Sequence, residues 1–295
     1  MSFTNNELKE IEIFVVNLLR DKVGPIIKSE TGITSQQYID KTNAVDLVTK
    51  YDKQVEAIIK DTIKDKFGDK FNFIGEEEYI PGKTKISNNP TFILDPIDGT
   101  TNFIHGFPYS CCSLGLAIDG HPVVGVVYNP HLNQLFHASR GNGAFLNNQR
   151  INATSRRLTL QKSLIGLEAG SERSTEPDSN FNKKMTTYKN LLSEDGGFIH
   201  GYRSFGSAAM NICHTAIGVL DAYWEGGCWA WDVCAGWCIL EETGGRIVGG
   251  NPGEWDVPIN GRCYLAIRGG CGKNEQDKFT KDFWDQVDGK LQYSE

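Results

Sequence analysis

The sequence has no long apolar run. Ile11 to Leu19 and Val123 to Tyr128 are its most apolar stretches, and Glu12 and Asn17 interrupt the first, whereas a helix crossing a bilayer needs about 20 such residues. No membrane segment is therefore expected. Met1 to Glu7 supplies neither the basic start nor the apolar centre of a secretory signal, so a cytoplasmic protein is expected. Basic residues are in deficit, with 30 Lys and Arg against 37 Asp and Glu and a formal net charge of −7. That balance excludes a nucleic-acid groove, which needs a concentrated cationic surplus. An anionic ligand would have to be met locally. Paired cysteines at metal or redox spacing are also absent. Cys111, Cys112, Cys213, Cys228, Cys234, Cys238, Cys263 and Cys271 contain no CxxC and sit in apolar segments, so free buried thiols are expected instead of bridges or zinc ligands. The six histidines show no i, i+4 pairing and read as structural or surface residues. Gly141-Asn142-Gly143 lacks a third glycine and follows a strand, which excludes a dinucleotide fingerprint. There is no internal repeat or low-complexity tract.

What is present is a 295-residue chain with 39% hydrophobic residues, enough for a large core. From Glu7 to Asp21, Leu8, Ile11, Val15, Leu18 and Leu19 recur at helical spacing, and Gly24-Pro25 reads as the stop. A second helix is expected from Tyr51 to Phe67, with Val55, Ile58, Ile59 and Ile63 inward and Lys53, Glu56, Lys60, Asp61 and Lys64 outward. From Phe71 the period shortens. Phe71 to Gly75 and Thr91 to Leu94 read as strands ending at acids, and Ser110 to Ile118, Pro122 to Tyr128 and Gln134 to Ser139 as antiparallel hairpins. After about Arg157 strand and helix alternate: a strand Ser163 to Leu167, a helix Phe181 to Ser193, a strand Gly197 to Tyr202, and helices Ser207 to Gly218 and Asp232 to Thr243. Two subdomains are expected, residues 1–156 built on an antiparallel sheet and residues 157–295 of α/β type, sharing one cleft.

The most informative segment is Asp95-Pro96-Ile97-Asp98-Gly99-Thr100-Thr101-Asn102, at the end of an apolar strand. Pro96 forces an extended turn, Gly99 lets a ligand approach the backbone, and Thr100-Thr101 can present N–H groups at a helix start. An isolated Asp-Gly-Thr is ordinarily an Asx-type turn; two acids, a proline and two hydroxyls together suit metal on one side and phosphate on the other. Gly75-Glu76-Glu77 follows an earlier strand, and Trp231-Asp232 opens a later helix, where Asp232 alone could be an N-cap.

These three motifs, in this order and spacing, resemble the inositol monophosphatase family. The resemblance extends over nearly the whole chain, including Val45-Asp46-Leu47-Val48-Thr49 with Asp52, Gly143-Ala144-Phe145, Gly206-Ser207-Ala208-Ala209 and Gly244-Gly245. It implies a layered sandwich of alternating α-β-α-β-α layers. It also implies Mg²⁺-dependent, lithium-sensitive hydrolysis of a small phosphorylated polyol, myo-inositol monophosphate, by a homodimer. The implied metal ligands are Glu76, Asp95, the Ile97 carbonyl, Asp98 and Asp232, holding two or three Mg²⁺, and Asp52 and Thr100 lie near the attacking water. The implied substrate contacts are Asp98, Gly99, Thr100, Thr101, Gly206, Ser207, Ala208, Glu225 and Asp232. The chemistry is consistent: clustered carboxylates repel a phosphate ester unless cations intervene, and oxygen-only ligands favour Mg²⁺ over zinc. Direct attack by an activated water is expected, with Glu76 and Thr100 orienting it and Asp52 supporting Thr100.

Other readings are open to test. A haloacid dehalogenase-type phosphatase would use Asp-x-Asp-x-Thr and a covalent aspartyl phosphate, but two residues separate Asp95 from Asp98 here. An EF-hand needs ligands at positions one, three and five with glycine at six, which this loop does not provide. Within the superfamily, the alternatives are phosphatases of nucleotide bisphosphates or sugar phosphates, and a non-catalytic metal- and phosphate-binding module. Trp224, Trp229, Trp231 and Trp237 read as core and loop anchors in preference to an aromatic box.

Overall fold

The computed structural model describes residues 3–30, 38–40, 47–84 and 86–294. The Val45-Asp46 part of the family motif lies outside the described residues. The first helix, α1 (Asn5–Leu18), opens with a reciprocal cap between Thr4 and Glu7. It does not end at Gly24-Pro25 as the sequence suggested. A wide turn over Leu19–Val23 closes with the Gly24 N–H on the Leu19 carbonyl, and α2 (Gly24–Ser29) continues the rod. Pro25 falls in the first turn of α2, and the widened turn before it accommodates the ring and the missing N–H. Strands β1 (Tyr38–Asp40) and β2 (Leu47–Thr49) form a small antiparallel pair, followed by α3 (Lys50–Phe67).

The first large sheet contains β3 (Asn72–Gly75), β4 (Thr91–Asp98), β5 (Cys111–Ile118), β6 (His121–Asn129), β7 (Gln134–Ser139), β8 (Gly143–Leu146) and β9 (Gln149–Arg150), in that spatial order. It is antiparallel except for β3, which pairs parallel with β4. This corrects the all-antiparallel reading: the segment between β3 and β4 crosses back instead of forming a hairpin. After β4 comes the short helix α4 (Thr100–His105).

The second sheet has the order β11 (Gly201–Arg203), β10 (Leu164–Leu167), β12 (Ala222–Gly226), β14 (Cys263–Ile267), β13 (Arg246–Gly249), with parallel and antiparallel pairs. The strand expected at Gly197 to Tyr202 begins later, because Phe198 takes a left-handed turn (φ 43°) after α5 (Asn180–Leu192). Helices α6 (Ala208–Ala216) and α7 (Ala230–Glu241) lie between the sheets. Their side chains join Val127, Phe136 and Ala138 of the first sheet to Tyr223, Tyr264 and Ala266 of the second in one buried cluster. The nearly all-round burial of α7 explains why its sequence is apolar on every face. Outside, α1 and α3 cover the first sheet, and α5 with α8 (Lys273–Trp284) covers the second. The result is an α-β-α-β-α stack. Seven cysteines are buried, Cys271 is half-buried, and all are free.

Glu56 departs from expectation. It faces inward, 2% exposed, because its carboxylate accepts the Glu77 and Glu78 backbone N–H groups at 3.0 and 3.1 Å. It thereby fixes the loop after β3. Burial pushes its pKa up to about 7 despite those bonds.

Candidate active site

Strand β4 creates the centre of the site. In a regular strand, Asp95 and Asp98, three residues apart, would point to opposite faces. Here Asp95 pairs with Ser113 and Asp98 with Cys111, so three steps on β4 match two on β5. This bulge at Pro96-Ile97 returns Asp98 to the face occupied by Asp95, and proline is tolerated there because a bulge frees it from the ladder. Ile93, two residues before Asp95, packs against Cys234 and Trp231 of α7, so this face looks towards α7. Asp232, in the first turn of that helix, completes the group. Carboxylate oxygens of Asp95, Asp98 and Asp232 lie within 4.8 Å of one another.

Each carboxylate is held differently. Asp98 Oδ2 accepts from Ser207 Oγ at 2.6 Å and the Ala209 N–H at 2.8 Å, which ties the first sheet to α6. Asp232 Oδ2 accepts the Trp229 N–H at 2.6 Å. Asp95 Oδ1 is buried without a hydrogen-bond partner. Burial drives all three pKa values upward, reinforced by mutual repulsion. Asp98 rises only to about 6 because Ser207 and the Ala209 N–H favour its ionised form, whereas Asp95 and Asp232 rise well above the usual range. An orphaned carboxylate oxygen, an all-oxygen donor set and crowded negative charge together fit a bound hard cation.

Glu76 follows β3, and its N–H bonds the Leu94 carbonyl at 3.1 Å, which sets it beside Asp95. The Ile97 carbonyl accepts from Thr100 Oγ1 at 3.1 Å. Asp52, buried in the first turn of α3, does not line the cleft; it acts on the cluster as a charge that helps push Asp95 up. Gly99 caps α4 at φ 86°, and a Cβ there would meet the Gly206 and Tyr109 carbonyls at 3.0 Å, so only glycine fits. The first-turn amides of α4 have no intrahelical acceptor and border the acidic group.

Glu76, Asp95, Ile97, Asp98, Gly99, Thr100, Thr101, Gly206, Ser207, Ala208, Glu225 and Asp232 all line one cleft of about 540 Å³. Every residue expected from the sequence except Asp52 is there. Glu225, in β12, bonds the Tyr223 hydroxyl and is pushed up to about 7 by burial and by Glu168, against the pull of Lys184.

Several lining residues were not anticipated. Glu168 accepts from the Phe205 N–H (2.6 Å), the Gly206 N–H (2.8 Å), Asn211 Nδ2 (2.9 Å) and Ser204 Oγ (2.6 Å), and so shapes the 204–207 loop. Like Asp95 it is an acid at the end of an apolar strand, a signal available in the sequence. Asn102 Nδ2 donates to the Phe205 carbonyl of the same loop at 2.6 Å and to the Tyr109 carbonyl at 2.8 Å, tying the loop to the segment before β5. Lys184 is 1% exposed and donates to the Ala169 and Gly226 carbonyls at 3.0 and 2.6 Å. Arg262 stacks on Trp229, 3.4 Å from the ring centroid, and bonds the Gly227 and Cys228 carbonyls.

A layered fold with clustered carboxylates beside an open helix start defines a class, and comparison with known proteins agrees: the sequence model described as the inositol monophosphatase family matches residues 7–288. The chain belongs to that family. It is 65% identical over 293 residues to inositol monophosphatase 2 of Saccharomyces cerevisiae, covering 99% of this chain and 100% of that protein. It is 52% identical to inositol monophosphatase 1 of the same yeast, covering 97% of this chain and 99% of that one. Among solved structures it is similar to the Thermotoga maritima IMPase, with TM-score 0.77 and 26% identity over 94% of this chain and 98% of that one.

Proposed function

We propose that this protein hydrolyses myo-inositol monophosphate to inositol and phosphate with Mg²⁺ and direct attack by water. The observation carrying this reading is the convergence of Asp95, Asp98 and Asp232 within 4.8 Å, with a buried oxygen of Asp95 unpartnered. Glu76, Asp95, the Ile97 carbonyl, Asp98 and Asp232 would hold two or three Mg²⁺. When bound, the ions neutralise the ester's charge, make water nucleophilic and stabilise the leaving alkoxide.

The chain's own residues do the rest. The amides of Gly99, Thr100 and Thr101 bind the phosphate oxygens at the start of α4. Glu76 and Thr100 orient the attacking water, with Asp52 behind them. Glu225 accepts hydrogen bonds from polyol hydroxyls, and Gly206, Ser207 and Ala208 flank the alcohol. Ser207 and the Ala209 N–H keep Asp98 ionised.

We further propose that the chain comprises two subdomains, residues 1–156 and 157–295, that it forms a homodimer, and that it is lithium-sensitive because Li⁺ suits a small hard-cation site. A cytoplasmic setting is part of the same reading; no helix among the described residues is long and apolar enough to cross a membrane.

The test is phosphate release from inositol 1-phosphate, fructose 1,6-bisphosphate and adenosine 3′,5′-bisphosphate, with Mg²⁺ and after chelation. Inositol phosphate should be hydrolysed fastest, and Asp232→Asn should lose activity at least 100-fold. Preference for another ester would overturn the substrate assignment alone, and hydrolysis of none would leave a metal-binding module.

A further inference from the structure

The segment after α8 returns to the cleft. Its backbone is pinned on both sides of Tyr293, at Leu291, Gln292 and Ser294, by side chains far away in sequence. Asn251 receives the Leu291 N–H at 2.8 Å and donates to the Leu291 carbonyl at 3.1 Å. Asn180 receives the Gln292 N–H at 2.9 Å and donates to the Gln292 carbonyl at 2.6 Å. Arg262 donates to the Ser294 carbonyl at 2.6 Å. Pairing both backbone groups of a residue with one amide side chain fixes an irregular segment almost as a sheet would.

This pinning places Tyr293 in the cleft wall, beside Glu225, Gly226 and Gly227. The ring lies so close to the loop that a Cβ on Gly226 would sit 2.7 Å from Tyr293 Cε2 and 2.8 Å from Leu291 Cδ1. Glycine at 226 is therefore a requirement of the contact. The hydroxyl is buried without a hydrogen-bond partner, facing the same loop, so the ring and not the hydroxyl meets the open cleft. The Lys184 ammonium and the Arg262 guanidinium each lie 5.7 Å from the ring. They secure the loop carbonyls and the ring together.

We propose that Tyr293 is a specificity-determining residue: its ring closes the alcohol end of the cleft next to Glu225 and restricts the enzyme to compact polyol phosphates. This rests on the phosphatase reading above. The ring acts by excluding volume, so removing it opens room for a larger leaving alcohol while leaving the acidic centre unchanged. The loss of steric rejection is expected to be about tenfold, typical of a pocket contact of this kind.

The experiment compares kcat/KM for inositol 1-phosphate and adenosine 2′-monophosphate in wild type, Tyr293→Ala and Tyr293→Phe, with glycerol 2-phosphate as a small ester. Tyr293→Ala should raise the nucleotide-to-inositol ratio about tenfold, mainly through KM, and leave glycerol 2-phosphate within about threefold. Tyr293→Phe, which keeps the ring, should leave the ratio within about twofold. An unchanged ratio in Tyr293→Ala, or an equal fall for all three esters, would show that the residue only supports the fold and would overturn the proposal. A ratio that moves equally in Tyr293→Phe would also overturn it, because the hydroxyl would then be responsible. Failure of the wild type to hydrolyse any of the esters would instead defeat the phosphatase reading on which it stands.

Discussion

Asp95→Asn in metal-free protein tests the physical basis of the site. At 4.8 Å and an effective dielectric of about 20, each ionised pair repels by about 3.5 kcal/mol. Asp95 faces both Asp98 and Asp232, so ionising it beside two ionised neighbours would cost about 7 kcal/mol. Protonating one aspartate at pH 7.5 limits that penalty to about 5 kcal/mol. Allowing for relaxation and the buried amide, Asp95→Asn should stabilise the chelated protein by about 2–4 kcal/mol, a rise in Tm of about 4–10 °C. The sign follows from linkage. The folded pKa of Asp98 is raised to about 6, so its contribution to stability without metal is fully present below its ordinary value near 3.8 and lost as pH rises through about 6. The advantage of Asp95→Asn should therefore shrink towards pH 4. Thermal melts with chelator and with Mg²⁺, between pH 4 and 8, give the answer: wild type should be stabilised by Mg²⁺ and the variant should not. A chelated variant that melts at or below wild type at pH 7.5 would refute the repulsion argument.

Other expectations follow from particular contacts. Ser207→Ala removes a 2.6 Å donor from buried Asp98 and should lower kcat/KM about tenfold and raise the Mg²⁺ concentration needed, with Ser207→Thr restoring both. Glu225→Gln should reduce kcat/KM for inositol 1-phosphate about 10- to 100-fold and that for p-nitrophenyl phosphate, which has no polyol hydroxyls, less than threefold. Glu168→Ala removes the shared acceptor of four donors, stranding that of buried Asn211 and of half-buried Phe205, and should destabilise by about 2–4 kcal/mol, read as a lower urea midpoint. Glu56 is raised from 4.5 to about 7, so its favourable contribution is complete below pH 4.5 and fades as pH passes 7. Glu56→Gln should flatten the stability profile across that range, and an unchanged slope would contradict its burial.

The acidic motif was legible because its parts lie close together in sequence: an apolar strand, two acids, a proline, a glycine and two hydroxyls. The bulge that puts both acids on one face was implied only indirectly, by Pro96. Glu56 was misread because helical periodicity marks every charge on α3 as solvent-facing, and the loop amides it binds belong to Glu77 and Glu78. Gly24-Pro25 was misread as a terminator because these residues also suit the start of a second helix. Lys184, Arg262 and Tyr293 gave no local signal. Their roles come from contacts with Gly226, Cys228 and Gly227 across tens of residues, which only the folded sheet order supplies. The layered fold was readable from the change of period after Phe71 and the alternation after Arg157. The parallel edge of β3 was not, since pairing direction depends on where the connecting segment runs.

The most direct measurement is hydrolysis of inositol 1-phosphate in ¹⁸O-labelled water, with Mg²⁺ and after exhaustive chelation. One labelled oxygen in the released phosphate, none in inositol, no phosphoenzyme trapped on acid quench during turnover, and loss of turnover on chelation are the predicted results. Label in inositol, a trapped phosphoaspartate on Asp95, or undiminished turnover without metal would contradict the account.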